Sequence, residues 1–250
     1  LINIEQDDKV MAFICTQDLK DEEYINSHFV IMATKKGQVK KTSLEQYSRP
    51  RSNGINAITI KDGDVLLEAK LTTGQSQVVL AVKSGKAIRF EENKTRPMGR
   101  NASGVRGIRL ANDADEVIGM VSVNDMDSDI LVVSENGYGK RSKLEDYRMT
   151  NRGGKGVKTI SITDKTGSLV SIKNVSDSDD LMIINRSGIA IRMEVESLRV
   201  MGRATQGVRL INLRNDDTIA AVAKVLKDDE DIEDVEDIEV DMTTETENES

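Results

Sequence analysis

The sequence predicts an all-β protein of about four repeated, four-stranded units arranged like propeller blades, and three observations carry that expectation. A hairpin-like phrase recurs as KKGQVKKT, KSGKAIRF, ENGYGKRS and RSGIAIRM, with glycine at Gly37, Gly85, Gly137 and Gly188, spaced by 48, 52 and 51 residues. A second glycine follows at Gly54, Gly104, Gly156 and Gly207, spaced by 50, 52 and 51 residues, and opens GINAITI, GVRGIRL, GVKTISI and GVRLINL. Apolar runs between these anchors are short and β-like, helical periodicity is nearly absent, and a period of this length suits blades.

In the first unit the strand candidates are VMAFICT, HFVIMAT, QVKKT and INAITI, broken by Gly, Asn, Asp and Ser. The turns Lys36-Gly37, Ser84-Gly85, Asn136-Gly137 and Ser187-Gly188 supply the positive φ that tight hairpins need, so these glycines read as turn residues and not as a site. Alternate units are the more alike. LEQY at Leu44–Tyr47 echoes LEDY at Leu144–Tyr147, and MGRNASGVRGIRL from Met98 returns 103 residues later as MGRATQGVRLINL from Met201. Duplication explains this, and Tyr47 and Tyr147, at equivalent places, read as packing between repeats in preference to base stacking. Unit limits fall at about 1–60, 61–110, 111–162 and 163–227, followed by an acidic tail, 228–250, whose few apolar residues predict disorder.

Composition bounds the rest. With 38% hydrophobic residues, no Trp and seven aromatics among 250 residues, the core must be aliphatic, and the Trp-dependent propeller type is disfavoured. No run approaches the ~18 apolar residues that span a bilayer, and the first residue, Leu1, introduces no charged and apolar leader, so a cytoplasmic piece of a longer polypeptide without a membrane partner is expected. Cys15 alone forms no internal disulfide, which fits a reducing compartment. The net charge of −8 conceals a segregation: Asp228 to Ser250 holds thirteen of the 43 acids and no base, leaving 30 acids against 35 Lys and Arg in the body. His28 is the sole histidine, so neither a His-based triad nor a soft metal cluster can be assembled. Acids such as Glu91 and Glu92 read as solvated surface. No catalysis and no metal are expected of the chain itself.

The cations repeat with the fold. Lys40, Lys41, Lys86, Arg89, Lys140, Arg141 and Arg192 follow the hairpin turns. Arg49, Arg51, Arg96, Arg100, Arg106, Arg148, Arg152, Lys155, Lys158, Arg199, Arg203 and Arg209 surround the second glycine. If units stack about a common axis, equivalent positions reach one rim and form a ring of charge suited to a phosphate backbone, read by shape and not by base identity. The competing reading is that Lys and Arg merely protect strand edges from aggregation. In TNRGGKGVK, Thr150 to Lys158, the glycines Gly153, Gly154 and Gly156 let consecutive amides face an anion, and Arg152, Lys155 and Lys158 add positive charge. It is not a Walker loop, because Gly156, not Ser or Thr, follows Lys155.

The phrases ATKKGQVKKT, SGKAIRF, MGRNASGVRGIRL, ENGYGKRS, NRGGKG and GRATQGVRLINL resemble the C-terminal β-pinwheel domain of the DNA gyrase A family, over about Leu1 to Val225. The resemblance implies a pinwheel whose blades lend strands to their neighbours, and double-stranded DNA wrapped on a basic rim in support of directional supercoiling. It implies the rest of gyrase A and its companion gyrase B as partners. The family's catalytic tyrosine, ATPase and metal-binding domain lie elsewhere, so ATP and Mg2+ would act through other domains and this chain needs no cofactor. An acidic tail after the last blade is a family feature. The family's box motif, Gln, Lys or Arg, Arg, Gly, Gly, Lys or Arg, Gly, is matched at Arg152, Gly153, Gly154, Lys155 and Gly156, with Thr150 in place of Gln and Asn151 in place of the first base. The family carries its full box in the first of six blades, so the box and two blades are expected upstream of Leu1. The alternatives are the less regular C-terminal domain of topoisomerase IV and a protein-interaction propeller without DNA binding, which requires an apolar face in place of a basic rim.

The tail and the body carry opposite charge, so an intramolecular anion competes with phosphate for the same cations. Deleting Asp228 to Ser250 is expected to tighten duplex DNA binding at low salt in a fluorescence-anisotropy titration; an unchanged affinity would remove the tail from any role in binding.

Overall fold

The computed structural model describes residues 8–214 and 217–226. Phe29–Thr34 (β1) and Gln38–Ser43 (β2) form the first hairpin, and Leu66–Thr72 (β3) lies against β1. Gln77–Val82 (β4) and Lys86–Glu91 (β5) form the second hairpin, Val105–Arg106 (β6) returns to β2, and Val117–Val123 (β7) lies against β4. Asp129–Ser134 (β8) and Tyr138–Lys143 (β9) form the third, with Val157–Lys158 (β10) on β5 and Leu169–Val175 (β11) on β8. Asp179–Asn185 (β12) and Ala190–Glu194 (β13) form the last, Val208–Arg209 (β14) pairs with β9, and Ile219–Leu226 (β15) pairs with β12.

All pairings between these strands are antiparallel, giving three four-stranded sheets, β3-β1-β2-β6, β7-β4-β5-β10 and β11-β8-β9-β14, and a three-stranded one, β15-β12-β13; isolated parallel bridges join Lys41 to Pro97, Arg89 to Met149 and Arg141 to Val200. The all-β, four-sheet expectation therefore holds, but none of the four-stranded sheets is built from one unit. Each of the first three hairpins receives a long strand on one edge and a two-residue strand on the other, both from the following unit, whereas β15 on the fourth hairpin comes from that hairpin's own unit. This explains two departures from the sequence reading. Residues 8–17, which contain VMAFICT, form no strand, and neither do residues 51–60, which contain INAITI. Both occupy places that pair, in later units, with the hairpin one unit earlier, and no earlier hairpin occurs among the described residues. Among the described residues the fourth sheet has no two-residue strand. The acidic tail lies outside the described residues.

The cores sit between sheets. Ile31, Ala33 and Val39 of the first sheet pack on Val78, Leu80 and Val82 of the second. From the same strand, Val79 and Ala81 face the other way, onto Ile130 and Val132 of the third. Leu131 and Val133 then meet Leu181 and Ile183 of the fourth. Because both faces of β4 and β8 are buried, their sequences run apolar without alternation. The outer face of the first sheet is covered differently, by a helical insertion. Asp21 caps Glu22–Ser27 (α1), its carboxylate accepting from the amides of Glu23 and Tyr24 at 3.0 and 3.1 Å, and Ile25 packs with Val30, Met32 and Leu44.

The second glycine of each unit marks where two units touch through their backbones. A Cβ on Gly104 would lie 2.5 Å from the Val39 carbonyl oxygen, one on Gly156 equally close to that of Ala87, and one on Gly207 would meet that of Gly139 in the same way. Gly54, in the first unit, has nothing within 4 Å. Both kinds of site have positive φ, so alanine costs roughly 1 kcal/mol at each through backbone conformation alone. Gly54→Ala is expected to lower stability by about that amount. Gly104→Ala adds a clash and is expected to cost roughly 2–4 kcal/mol. Urea unfolding of the two variants distinguishes a turn requirement from a contact requirement.

Candidate nucleic-acid interface

The structure divides the repeated cations into two populations. The first lies inside. Lys40 and Lys140, at the third place after the hairpin glycine, are 0% and 1% exposed. The Lys40 ammonium donates to the carbonyls of Ala57 and Arg100 at 2.6 and 2.5 Å, and that of Lys140 donates to Gly202 O at 2.6 Å and Thr205 Oγ1 at 3.1 Å. Burial lowers both ammonium pKa values to about 8, with further depression from the charges of Arg100 and Arg203 respectively. One place on, Lys41 is buried against Glu92 at 3.7 Å and its Nζ lies 5.0 Å from the Phe29 ring centroid. Arg89 donates to Leu144 O and Tyr147 O at 2.7 and 3.1 Å, and burial lowers its pKa. Arg141 is buried, with Leu198 O, Asp129 and Asp177 as partners. Most of these acceptors belong to the next unit, among them Glu92 O and Leu144 O, which open the 3-10 turns Glu92–Lys94 and Leu144–Asp146 and also accept from the amides of Thr95 and Tyr147; Ala57 and Asp129 belong to the cation's own unit.

Lys40, Lys41, Lys140 and Arg141 are therefore not surface cations. An ammonium or guanidinium taken from water must find acceptors, and the neighbouring unit's carbonyls and carboxylates provide them. Tyr147, also expected to pack, is fully buried, its hydroxyl 2.5 Å from Thr159 Oγ1 and its pKa pushed up to about 12 by burial. Tyr47 is half-buried and donates to Ala57 O at 3.0 Å.

The second population is exposed. Arg96, Arg148 and Arg199 each stand eleven residues after a hairpin glycine, and Arg49 twelve after the first, with Arg51 beside it. Arg106, Lys158 and Arg209 each stand two residues after the second glycine, on β6, β10 and β14. Lys155 is exposed as well. Among the described residues, none of Arg49, Arg51, Arg96, Arg106, Arg148, Lys155, Lys158 or Arg199 forms an ion pair. Opposite Lys158 in the ladder stands half-buried Lys86, a like-charged pair. Arg192 is exposed but paired with Asp180 at 2.6 Å.

The glycine-rich loop is built otherwise than expected. The Gly153 amide donates to Gly107 O at 2.5 Å, so it does not face an anion, and the Gly154 carbonyl accepts from Arg109 N at 2.8 Å. Gly156 is the contact glycine of its unit. The Arg152 guanidinium donates to Lys94 O at 2.9 Å and Arg106 O at 3.1 Å, and Arg203 makes the equivalent bonds to Asp146 O at 3.0 Å and Lys158 O at 2.8 Å. Arg100 is half-buried, with its amide on Gln46. One feature had no sequence signal. Lys165 lies outside both glycine phrases, yet its Nζ is 5.2 Å from the Tyr138 ring centroid, beside Arg209, which donates to the Tyr138 hydroxyl and lowers its pKa. No group of three or more His, Cys, Asp or Glu placed to hold a metal occurs among the described residues, and no helix there is long and apolar enough to cross a membrane.

A family model described as the DNA gyrase C-terminal domain, beta-propeller, matches residues 28–73, 77–124, 128–176 and 179–226. The A subunit of DNA gyrase from Staphylococcus aureus (strain NCTC 8325 / PS 47) is 43% identical over 225 residues, 89% of this chain and 25% of that protein. The chain thus spans about a quarter of the length of the curated relatives it matches. A solved DNA gyrase A C-terminal domain superposes with a TM-score of 0.78 at 24% identity, covering 90% of this chain and 73% of the other. The crystal structure of the C-terminal domain of DNA topoisomerase IV gives 0.76 at 23% identity over 80% and 62%. At these identities the two structures speak to the fold alone.

The lowered pKa of two buried lysines ties stability to pH. Above about 8 the folded chain releases protons that the unfolded chain still holds up to the ordinary lysine value of 10.5, so stability rises with pH between these limits. The urea midpoint is expected to increase from pH 8 to 9.5, and the increase should shrink in the K40M/K140M variant. A flat profile in the unsubstituted protein would contradict the burial of these charges.

Proposed function

This chain belongs to the DNA gyrase C-terminal domain family, and from that premise we propose that it binds double-stranded DNA without regard to sequence, and bends it, by means of its exposed repeated cations. The supporting observation is the second population of cations. Eight exposed Lys and Arg side chains lack any ion-pair partner among the described residues, and Lys86 faces Lys158 across a two-residue ladder. Like charges directly opposite one another are unfavourable in a sheet, and a phosphate between them relieves that repulsion.

Equivalent positions of successive units are related by the same step, so Arg96, Arg148 and Arg199 meet a duplex at regular intervals along one edge. Each cation displaces counterions from the phosphate backbone, which drives binding by a route independent of base identity. Following a curved row of such contacts bends the duplex, and its elastic cost is offset by the added contacts. In the parent protein this activity would serve negative supercoiling by a bacterial type II topoisomerase, in the cytoplasm and together with the rest of gyrase A and with gyrase B, through whose other domains ATP and Mg2+ act.

Anisotropy titrations with duplexes of scrambled sequence across a salt series provide the test. Similar affinities for all sequences are expected, with log K falling against log salt at a slope of roughly −4 to −8, about one unit per phosphate neutralised. The R96A/R148A/R199A variant is expected to lose about three units of slope. Affinity that ignores salt would support a protein-interaction scaffold instead.

A further inference from the structure

The three junctions between units share one framework. The Lys41, Arg89 and Arg141 series crosses each of them, and so does a backbone strap: Thr59 N to Ala102 O at 3.3 Å, Arg109 N to Gly154 O at 2.8 Å, and Ser161 N to Thr205 O at 3.0 Å. The junctions differ in what else holds them. At the first, Lys40 donates to Arg100 O, and the Arg100 side chain makes no hydrogen bond among the described residues. At the third, Lys140 and Arg203 are both engaged. At the second, Ile88 stands in the lysine place, 2% exposed, and Arg152 supplies the cationic link, beside the neutral bonds of Thr150 Oγ1 to Arg89 O at 3.1 Å and of Ser84 Oγ to Asp115 at 2.9 Å.

From this comparison we propose that Arg152 and Arg203 are positioning residues that fix the rotation of one unit on the next, and hence the curvature of the cationic edge, and are not phosphate ligands. The proposal rests on the DNA-binding reading above for its functional consequence. A guanidinium suits the task, because its planar fork engages two carbonyls in a fixed relation, whereas an ammonium is a compact charge on a flexible stem. The acceptors matter as much as the donor. Lys94 O lies on the 3-10 turn of the second unit, and Arg106 O lies on β6, which pairs with β2 of the first. One side chain of the third unit is therefore tied to two separate parts of the second, one of them the strand that the second unit lends to the first sheet. Arg203 repeats the arrangement through Lys158 O on β10, which pairs with β5. With Nε and Nη1 directed at carbonyls, these arginines differ from Arg148, which is exposed and makes no hydrogen bond or ion pair among the described residues.

The test separates charge from geometry. R152K keeps the charge and loses the fork, R203K does so at the third junction, and R148A serves as the edge control. Three readouts are taken: the salt slope of duplex binding, energy transfer between dyes on the ends of a short duplex, and energy transfer within the DNA-free protein. The last uses dyes on S52C and E196C in a C15S background. R148A is expected to lose about one unit of slope and to leave the distance within the free protein unchanged. R152K is expected to keep the slope, to lower DNA bending, and to shift or broaden the distance within the free protein. Unchanged bending and unchanged internal distance in both R152K and R203K would overturn the proposal, as would a loss of about one slope unit in R152A with R152K indistinguishable from the unsubstituted protein. If R152A fails to fold, the two lysine variants decide. If the unsubstituted protein binds no DNA, the functional reading falls, and the internal distance alone decides whether the arginines set the curvature.

Discussion

A two-stranded hairpin is marginal in water because both its edges leave backbone N–H and C=O groups without ladder partners. Here the following unit closes both edges of each of the first three hairpins, with a long strand on one side and a two-residue strand on the other. Much else in the structure follows from that closure. The two-residue strand can reach the hairpin only if the residue before it carries no side chain, hence Gly104, Gly156 and Gly207 against the carbonyls of Val39, Ala87 and Gly139. Bringing units so close buries both faces of β4 and β8, and Val78 to Val82 becomes an uninterrupted apolar run.

The same closeness sorts the charges. In the first three units a cation three or four places beyond the hairpin glycine reaches the next unit, where carbonyls in and around the turn after its hairpin accept from it. A cation eleven places beyond has already passed that turn and stands in water. Burial penalises the first kind, as the lowered pKa of Lys40 and Lys140 reflects, and the carbonyl partners offset the penalty. Among the described residues, charge of the second kind has no ion-pair partner, and that leaves it available to a polyanion.

The parts legible in the sequence are those encoded locally. Hairpin turns, the period, the aliphatic core and the exposed positions Arg96, Arg148 and Arg199 follow from residues near one another in the chain. The sharing of strands between units is not local, and for that reason VMAFICT reads as a strand although no hairpin for it to pair with occurs among the described residues. The burial of Lys40 and Lys140 did leave a trace: Ile88 and Ile191 occupy the same place in alternate units, and a place that accepts isoleucine faces inward. Lys41 and Arg141 left no comparable sign, since Arg89 and Arg192 repeat the charge. The loop at Arg152 looked like an anion cradle because its glycines permit one; the Gly153 amide is directed instead at Gly107 across the junction.

The exchange of strands also determines how the molecule bears load. Units held by surface contacts alone would peel apart one contact at a time when a stiff polymer pulls along the edge. Here β3, β7 and β11 each run six to seven residues along a neighbour's hairpin, antiparallel and registered along nearly their whole length. Before two units can separate, such a ladder must slide or break as a block, with many hydrogen bonds sharing the force at once. The units are therefore joined like interlocked clasps, and under the proposed function the elastic recoil of a bent duplex would be carried in shear through the sheets.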